Sequence, residues 1–140
     1  MIGRMRRRMR SERGVAAVEF ALVLLPLLLI VFGIIAFGRA YGAYESYVSA
    51  AREGARFAAV QCATVGSVTT GCTDQAIRDR ISAAAYPYVP SFTGFSAGVC
   101  TQGTVGDEVA VSWVQDVPID LYVAPPLTAH VTVKGVFRCE

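Results

Sequence analysis

Residues 14 to 38, GVAAVEFALVLLPLLLIVFGIIAFG, restrict the chain more than any other stretch. They stay apolar for the length a bilayer-spanning helix needs, about 20 residues. Only Glu19 breaks the run. On insertion scales an acidic side chain at the centre of a spanning helix costs about 3 kcal/mol, and less near its edge. A plain anchor has no use for that carboxylate, so Glu19 asks for a functional reason.

Charge divides the chain at the same place. Arg4, Arg6, Arg7, Arg8, Arg10 and Arg13 precede the run, offset only by Glu12, and acids outnumber bases after Gly14. Basic flanks stay in the cytoplasm, so the pattern predicts a cytoplasmic N-terminus and an extracytoplasmic C-terminal part. Six arginines also suit a nucleic-acid-binding arm. A hydrophobic span follows at once and no stacking aromatics are interleaved, so no nucleic-acid partner is expected. The leader has no apolar periodicity and is expected to lack lasting structure. An ordinary secretory signal fits poorly, because the run is longer than a typical h-region. The best small-residue cleavage site, near Ala40 to Ala43, is crowded by Arg39 and Tyr41. An uncleaved signal anchor is the plain alternative.

Arg13-Gly14 followed by Val15-Ala16-Ala17-Val18-Glu19-Phe20 resembles the cleavage site of a type IV prepilin, and Phe20 after the glutamate resembles the Flp/Tad branch. Phe37-Gly38-Arg39-Ala40-Tyr41 and Ala50-Ala51-Arg52-Glu53-Gly54-Ala55-Arg56 are similar to TadE-like pseudopilins of tight-adherence systems. The close of the chain, Leu127-Thr128-Ala129 to Arg138-Cys139-Glu140, is loosely similar; the middle hardly resembles the family. The resemblance implies a minor pilin of a Tad (Flp) pilus serving adhesion or biofilm formation. It implies cleavage between Gly14 and Val15 by a prepilin peptidase, and assembly through Glu19 and Phe20. The implied partners are that peptidase, other pilins, the Tad assembly platform and the lipid bilayer. A signal-anchored binding domain that never assembles, and a secretion-system pseudopilin, are the rival readings.

Four segments follow: a basic leader over 1–14, a transmembrane helix over 15–38, its extracytoplasmic continuation over 39–61, and a small domain over 62–140. Pro26 removes one helical hydrogen bond and acts either as a hinge or as a harmless kink. Beyond the span, Phe37, Tyr41, Tyr44, Val48, Ala51, Ala55, Ala58 and Cys62 alternate steps of four and three. This stripe of period 3.5 predicts one buried face, for other subunits or for the chain's own domain. Its later residues, with Gly54 and Ala59, are small and permit close backbone approach.

The C-terminal segment predicts a helix from Asp74 to about Ala85, capped by Thr73 or Asp74, with Ile77, Ile81 and Ala84 on one face. Strands are expected at Ser96–Thr101, Glu108–Gln115, Ile119–Val123 and Ala129–Phe137. Val109, Val111 and Trp113 share a face, as do Ala129, Val131, Val133, Gly135 and Phe137. The fold class is therefore α+β, a long N-terminal helix carrying a small antiparallel meander in a pilin-like arrangement. Cys62, Cys72, Cys100 and Cys139 all fall in the exported part, where an even count predicts two disulfides with three possible connectivities. Cys62–Cys72 as a loop staple and Cys100–Cys139 as a tie between strands are favoured. No metal or cofactor is expected: no C-x-x-C pair occurs, and His130 is the only histidine. His130 reads as a surface residue without a sequence-positioned acid to orient it. Asp107-Glu108 and Asp116/Asp120 read as solvated turn acids rather than a calcium loop. No nucleophile motif is present, so an enzyme is not expected.

Overall fold

The structure is a computed structural model. It describes the backbone of residues 2–62, 64–65, 68–69, 72–100, 106–121 and 125–139, and the side chains of these outside 2–13 and 64–69. Helix α1 runs from Ile2 to Gln61, about 90 Å at 1.5 Å per residue. It begins earlier than the sequence predicts, because the leader is helical as well. Arginine and methionine are good helix formers, and adding turns to an existing helix avoids the cost of nucleation. The helix continues through Pro26. Its segment from Gly14 onward is long and apolar enough to cross a membrane. Nearly every side chain from Val15 to Ile35 is exposed.

The second half of α1 carries the domain. Strands β1 (Thr64–Val65) and β2 (Val68–Thr69) pair antiparallel as a minimal hairpin inside the loop closed by the Cys62–Cys72 disulfide. Helix α2 follows over Asp74–Ala85. Thr73 caps it, with Oγ1 accepting from the Ala76 N–H at 3.2 Å. Ile77, Ile81 and Ala85 are buried against α1; Ala84, expected on that face, is exposed. The buried contact line runs at steps of four, which selects Ala85 over Ala84.

Strands β3 (Thr93–Ala97), β4 (Glu108–Ile119) and β5 (Leu127–Arg138) form one antiparallel sheet in the order β3-β4-β5. β3 starts and ends earlier than predicted, and Thr101 lies outside the described residues. β4 runs on past Gln115 and absorbs Ile119, so no separate strand begins there; Tyr122 and Val123 lie outside the described residues. The extension passes through Pro118, which pairs with Thr128 of β5. On its other side β4 pairs with β3 only between Val111 and Val114. At Pro118 the strand is thus an edge, where a missing N–H leaves no ladder bond unmade.

Alternation places Val109, Val111, Trp113, Gln115 and Val117 of β4, with Val133 and Gly135 of β5, toward α1. The helix meets them with Ala43, Tyr47, Ala50, Ala51, Ala55, Ala58 and Ala59. Gly135 touches the helix backbone: a Cβ there would lie 2.2 Å from the Ala51 carbonyl carbon. Gln115 is the one polar side chain buried among the described residues. Its Oε1 accepts from the Trp113 Nε1–H at 3.0 Å and the Ser91 N–H at 2.9 Å, and its Nε2 donates to the Asp116 carbonyl. Arg78 places its guanidinium 4.5 Å from the Phe95 ring centre and 5.7 Å from that of Phe92. Its Nε is buried without a hydrogen-bond partner, and the two ring faces supply the compensating attraction.

Candidate functional site

Two regions of α1 hold the residues singled out by sequence. The first is its apolar N-terminal half. Gly14, Val15, Glu19 and Phe20 are all exposed on the helix, and nothing lies within 4 Å of a Cβ built on Gly14. Val15 and Glu19 are four residues apart, so they lie on one face, one turn apart. Helical side chains lean toward the N-terminus, so the Glu19 side chain leans back over the turn that begins at Val15. An acidic group there also faces the positive end of any helix that starts at Val15.

The second region is the Ala50 to Arg56 run, where α1, α2 and β5 meet. Ala51 and Ala55 are fully buried. Ala51 abuts Gly135 of β5, and Gly54 leaves room for Ile81 of α2. Glu53 lies beside this contact. It accepts two hydrogen bonds from Arg56, at 2.9 and 3.1 Å, and two from Arg80 of α2 through Nε and a terminal nitrogen. These arginine hydrogen bonds hold its carboxyl well below the usual range, at about 2. The run therefore acts as a clamp, with small residues for contact and one carboxylate tying α2 to α1.

The predicted 3.5-residue stripe divides. Ala51, Ala55 and Ala58 are buried against the chain's own domain, Tyr44 and Val48 are half-buried, and Phe37 and Tyr41 are 65% and 64% exposed. The domain instead covers Ala36, Ala43 and Tyr47 on the early turns. A strict 3.5 repeat drifts by about 20° per heptad around a helix of 3.6 residues per turn. The stripe and the buried face coincide only from Ala51 onward, leaving Phe37 and Tyr41 on an open face. Tyr47 donates from its hydroxyl to the Val89 carbonyl at 3.3 Å, and burial pushes its pKa up.

The cysteines are paired as Cys62–Cys72 and Cys100–Cys139. The second bond holds the chain after β3 to the end of β5, where the Gly106 N–H donates to the Cys139 carbonyl at 3.0 Å and the Cys139 N–H to the Asp107 carbonyl at 2.8 Å. Among the described residues no group of three or more metal-ligating side chains comes together. His130 does have an acid. Its Nδ1 contacts Asp116 Oδ1, because the β4–β5 register sets these residues opposite each other. Asp116 is consequently a strand residue rather than a turn acid. Both members are exposed on the outer sheet face.

Residues 14–56 match the model of the family described as TadE-like protein. The chain carries a TadE-like segment. The matched stretch takes in Gly14 and Glu19 at one end and the Glu53 clamp at the other. No curated protein and no solved structure matches the chain. Past Arg56, the TadE-like segment is followed by the α2 and β3–β5 domain that it helps to bury.

Proposed function

We propose that the chain is a minor pilin, or pseudopilin, that takes part in assembling a Tad (Flp) type pilus. Its role is structural rather than catalytic. A prepilin peptidase cuts between Gly14 and Val15 and removes the basic leader that pins the chain to the cytoplasmic face. The mature chain then sits in the inner membrane on one span, with its C-terminal domain outside, and passes to the pilus through the assembly platform and other pilins. The observation that carries this reading is the TadE-like match over an exposed apolar helix with Glu19 five places after Gly14.

The geometry adds one requirement. The Gly14–Val15 peptide lies inside α1, and a protease needs an extended backbone. Local unwinding must come first. Glycine favours it, being about 1 kcal/mol worse than alanine in a helix. Cleavage frees an α-amino group on Val15, and Glu19 pairs with that amine, on its own chain or on a neighbour, so that neither charge is left alone in an apolar bundle. Phe37 and Tyr41, on the face the domain leaves open, supply contact area for a neighbouring subunit.

The test is the intact mass of membrane-extracted protein made with and without a cognate prepilin peptidase. The expected result is loss of Met1 to Gly14 only when the peptidase is present. A full-length chain in both cases leaves an uncleaved anchored domain, and a cut near Ala43 leaves an ordinary secreted protein. Glu19→Ala separates processing from assembly: cleavage should persist while filament yield falls. Filaments at wild-type yield would remove the pairing role.

A further inference from the structure

Ala36 belongs by sequence to the apolar run, yet it is only 4% exposed. The end of the β4–β5 hairpin lies over it. Pro118 and Asp120 share a shallow pocket of about 190 Å³ with Ala36, Ala40, Ala43 and Tyr88. The register carries pairing down to Ile119 and Leu127, so this is the end of the sheet nearest the span. The opposite end, at Gly135, meets Ala51, about 22 Å further along the helix.

The depth of that contact follows from helix length. Counted from Gly14, a hydrocarbon core of about 30 Å ends near Ile34. The outer headgroup layer then takes about four more residues, to Gly38. The hairpin end packs on Ala36 and so lies level with the headgroups. Its described surface suits that layer. Leu127 is 58% exposed, Pro125 and Pro126 are exposed, and Leu121 is half-buried. The two prolines have no N–H to desolvate on leaving water. Tyr88, which lines the same pocket as Pro118 and Asp120, has the amphipathic ring that settles at membrane interfaces.

We propose that the hairpin end, through Leu121, Pro125, Pro126 and Leu127, rests in the outer headgroup layer and holds the domain at a fixed depth and rotation on the bilayer. Lipid is its occupant. The domain then acts as a stop that keeps α1 from sliding further into the membrane. This rests on the reading of α1 as the membrane span.

The test uses the full chain, one copy per nanodisc of phosphatidylethanolamine and phosphatidylglycerol, with lipids brominated in the upper acyl chain as quenchers. Trp113 is buried and serves as the constant background. Single tryptophans are added as Leu127→Trp and Leu121→Trp at the hairpin end, Val136→Trp at the far end of β5, and Leu24→Trp within the span. The emission added by Leu127→Trp and Leu121→Trp is expected to fall by about half, as for side chains held several ångströms into the interface, with little change for Val136→Trp. Quenching at the hairpin end no greater than at Val136→Trp, with Leu24→Trp quenched, overturns the proposal and spares the span. An unquenched Leu24→Trp overturns both. If Leu127→Trp is unquenched in single-copy discs but shifts to the blue when copies are crowded, the face is an interface between copies and the lipid assignment is wrong.

Discussion

At the scale of single residues, the contact between helix and sheet depends on absent side chains. Gly135 and Gly54 both sit where a Cβ has too little room, but the obstacles differ. At Gly135 the added carbon meets the Ala51 carbonyl group and the Arg52 nitrogen, which are helix backbone and cannot rotate away. At Gly54 it meets the outer carbons of the Ile81 side chain, at 2.5 and 2.8 Å. Gly135→Ala must separate β5 from α1, so a loss of about 3 kcal/mol is expected, at the upper end for overpacking. Gly54→Ala regains about 1 kcal/mol of helix propensity and should come out between neutral and about 1 kcal/mol destabilising. Thermal unfolding of both variants in one detergent gives the order; a larger loss for Gly54→Ala would mean that Ile81, not the helix backbone, is the rigid partner. Gln115 makes a related point. It occupies the apolar face that Val109, Val111 and Trp113 define, so alternation alone could have marked it as buried, but its partners Trp113 and Ser91 appear only once the sheet is folded.

At the scale of elements, α2 is joined to α1 by burial of Ile77 and Ile81 and by one carboxylate. Glu53 is drawn from the usual 4.5 to about 2 by hydrogen bonds from Arg56 and Arg80. A depressed carboxyl contributes in full above its unfolded value and loses that contribution as pH falls from about 4.5 through about 2. The groups are partly exposed, so solvent screening holds the Glu53–Arg80 pair to about 0.5–1 kcal/mol. A double-mutant cycle of Glu53→Gln and Arg80→Gln should show that coupling at pH 7 and almost none at pH 2. Undiminished coupling at pH 2 would assign the effect to packing of the long side chains instead. Elements were legible in the sequence where their signals are local. The Thr73 cap and the prolines after Ala85 bound α2, and alternation from Ala129 to Phe137 marks β5. Features that depend on partners were not legible. β4 extends through Pro118 because β3 stops short of it. Arg80 is 27 residues from Glu53, and the stripe from Phe37 cannot reveal that the domain covers the neighbouring turn face. The Gly14–Glu19 spacing, by contrast, is entirely local, which is why resemblance could carry the reading of that end.

At the scale of the whole molecule, the chain is asymmetric. From Gly14 to Ile35 the helix has almost nothing of its own chain around it, while from Ala43 to Ala59 it is part of the domain core. The sheet has one buried face and α2 one buried stripe, and both turn toward the same alanine-rich surface of α1. Without that surface Trp113, Val111, Ile77 and Ile81 would face water together. The disulfides cannot replace it. Loops closed at separations of 10 and 39 residues remove about 3 and 4 kcal/mol of unfolded-chain entropy, but they provide no apolar cover. The domain should therefore be inseparable from the second half of α1 and independent of the first. A fragment of residues 39–140, made oxidised without detergent, is expected to unfold in one cooperative thermal transition with near-ultraviolet dichroism from a fixed Trp113. A fragment of residues 62–140, with the same two bonds, is expected to show neither. If the shorter fragment melts cooperatively, the helix only decorates a self-sufficient sheet. If the longer one fails while the full chain folds in detergent, the turns around Ala36 belong to the core as well.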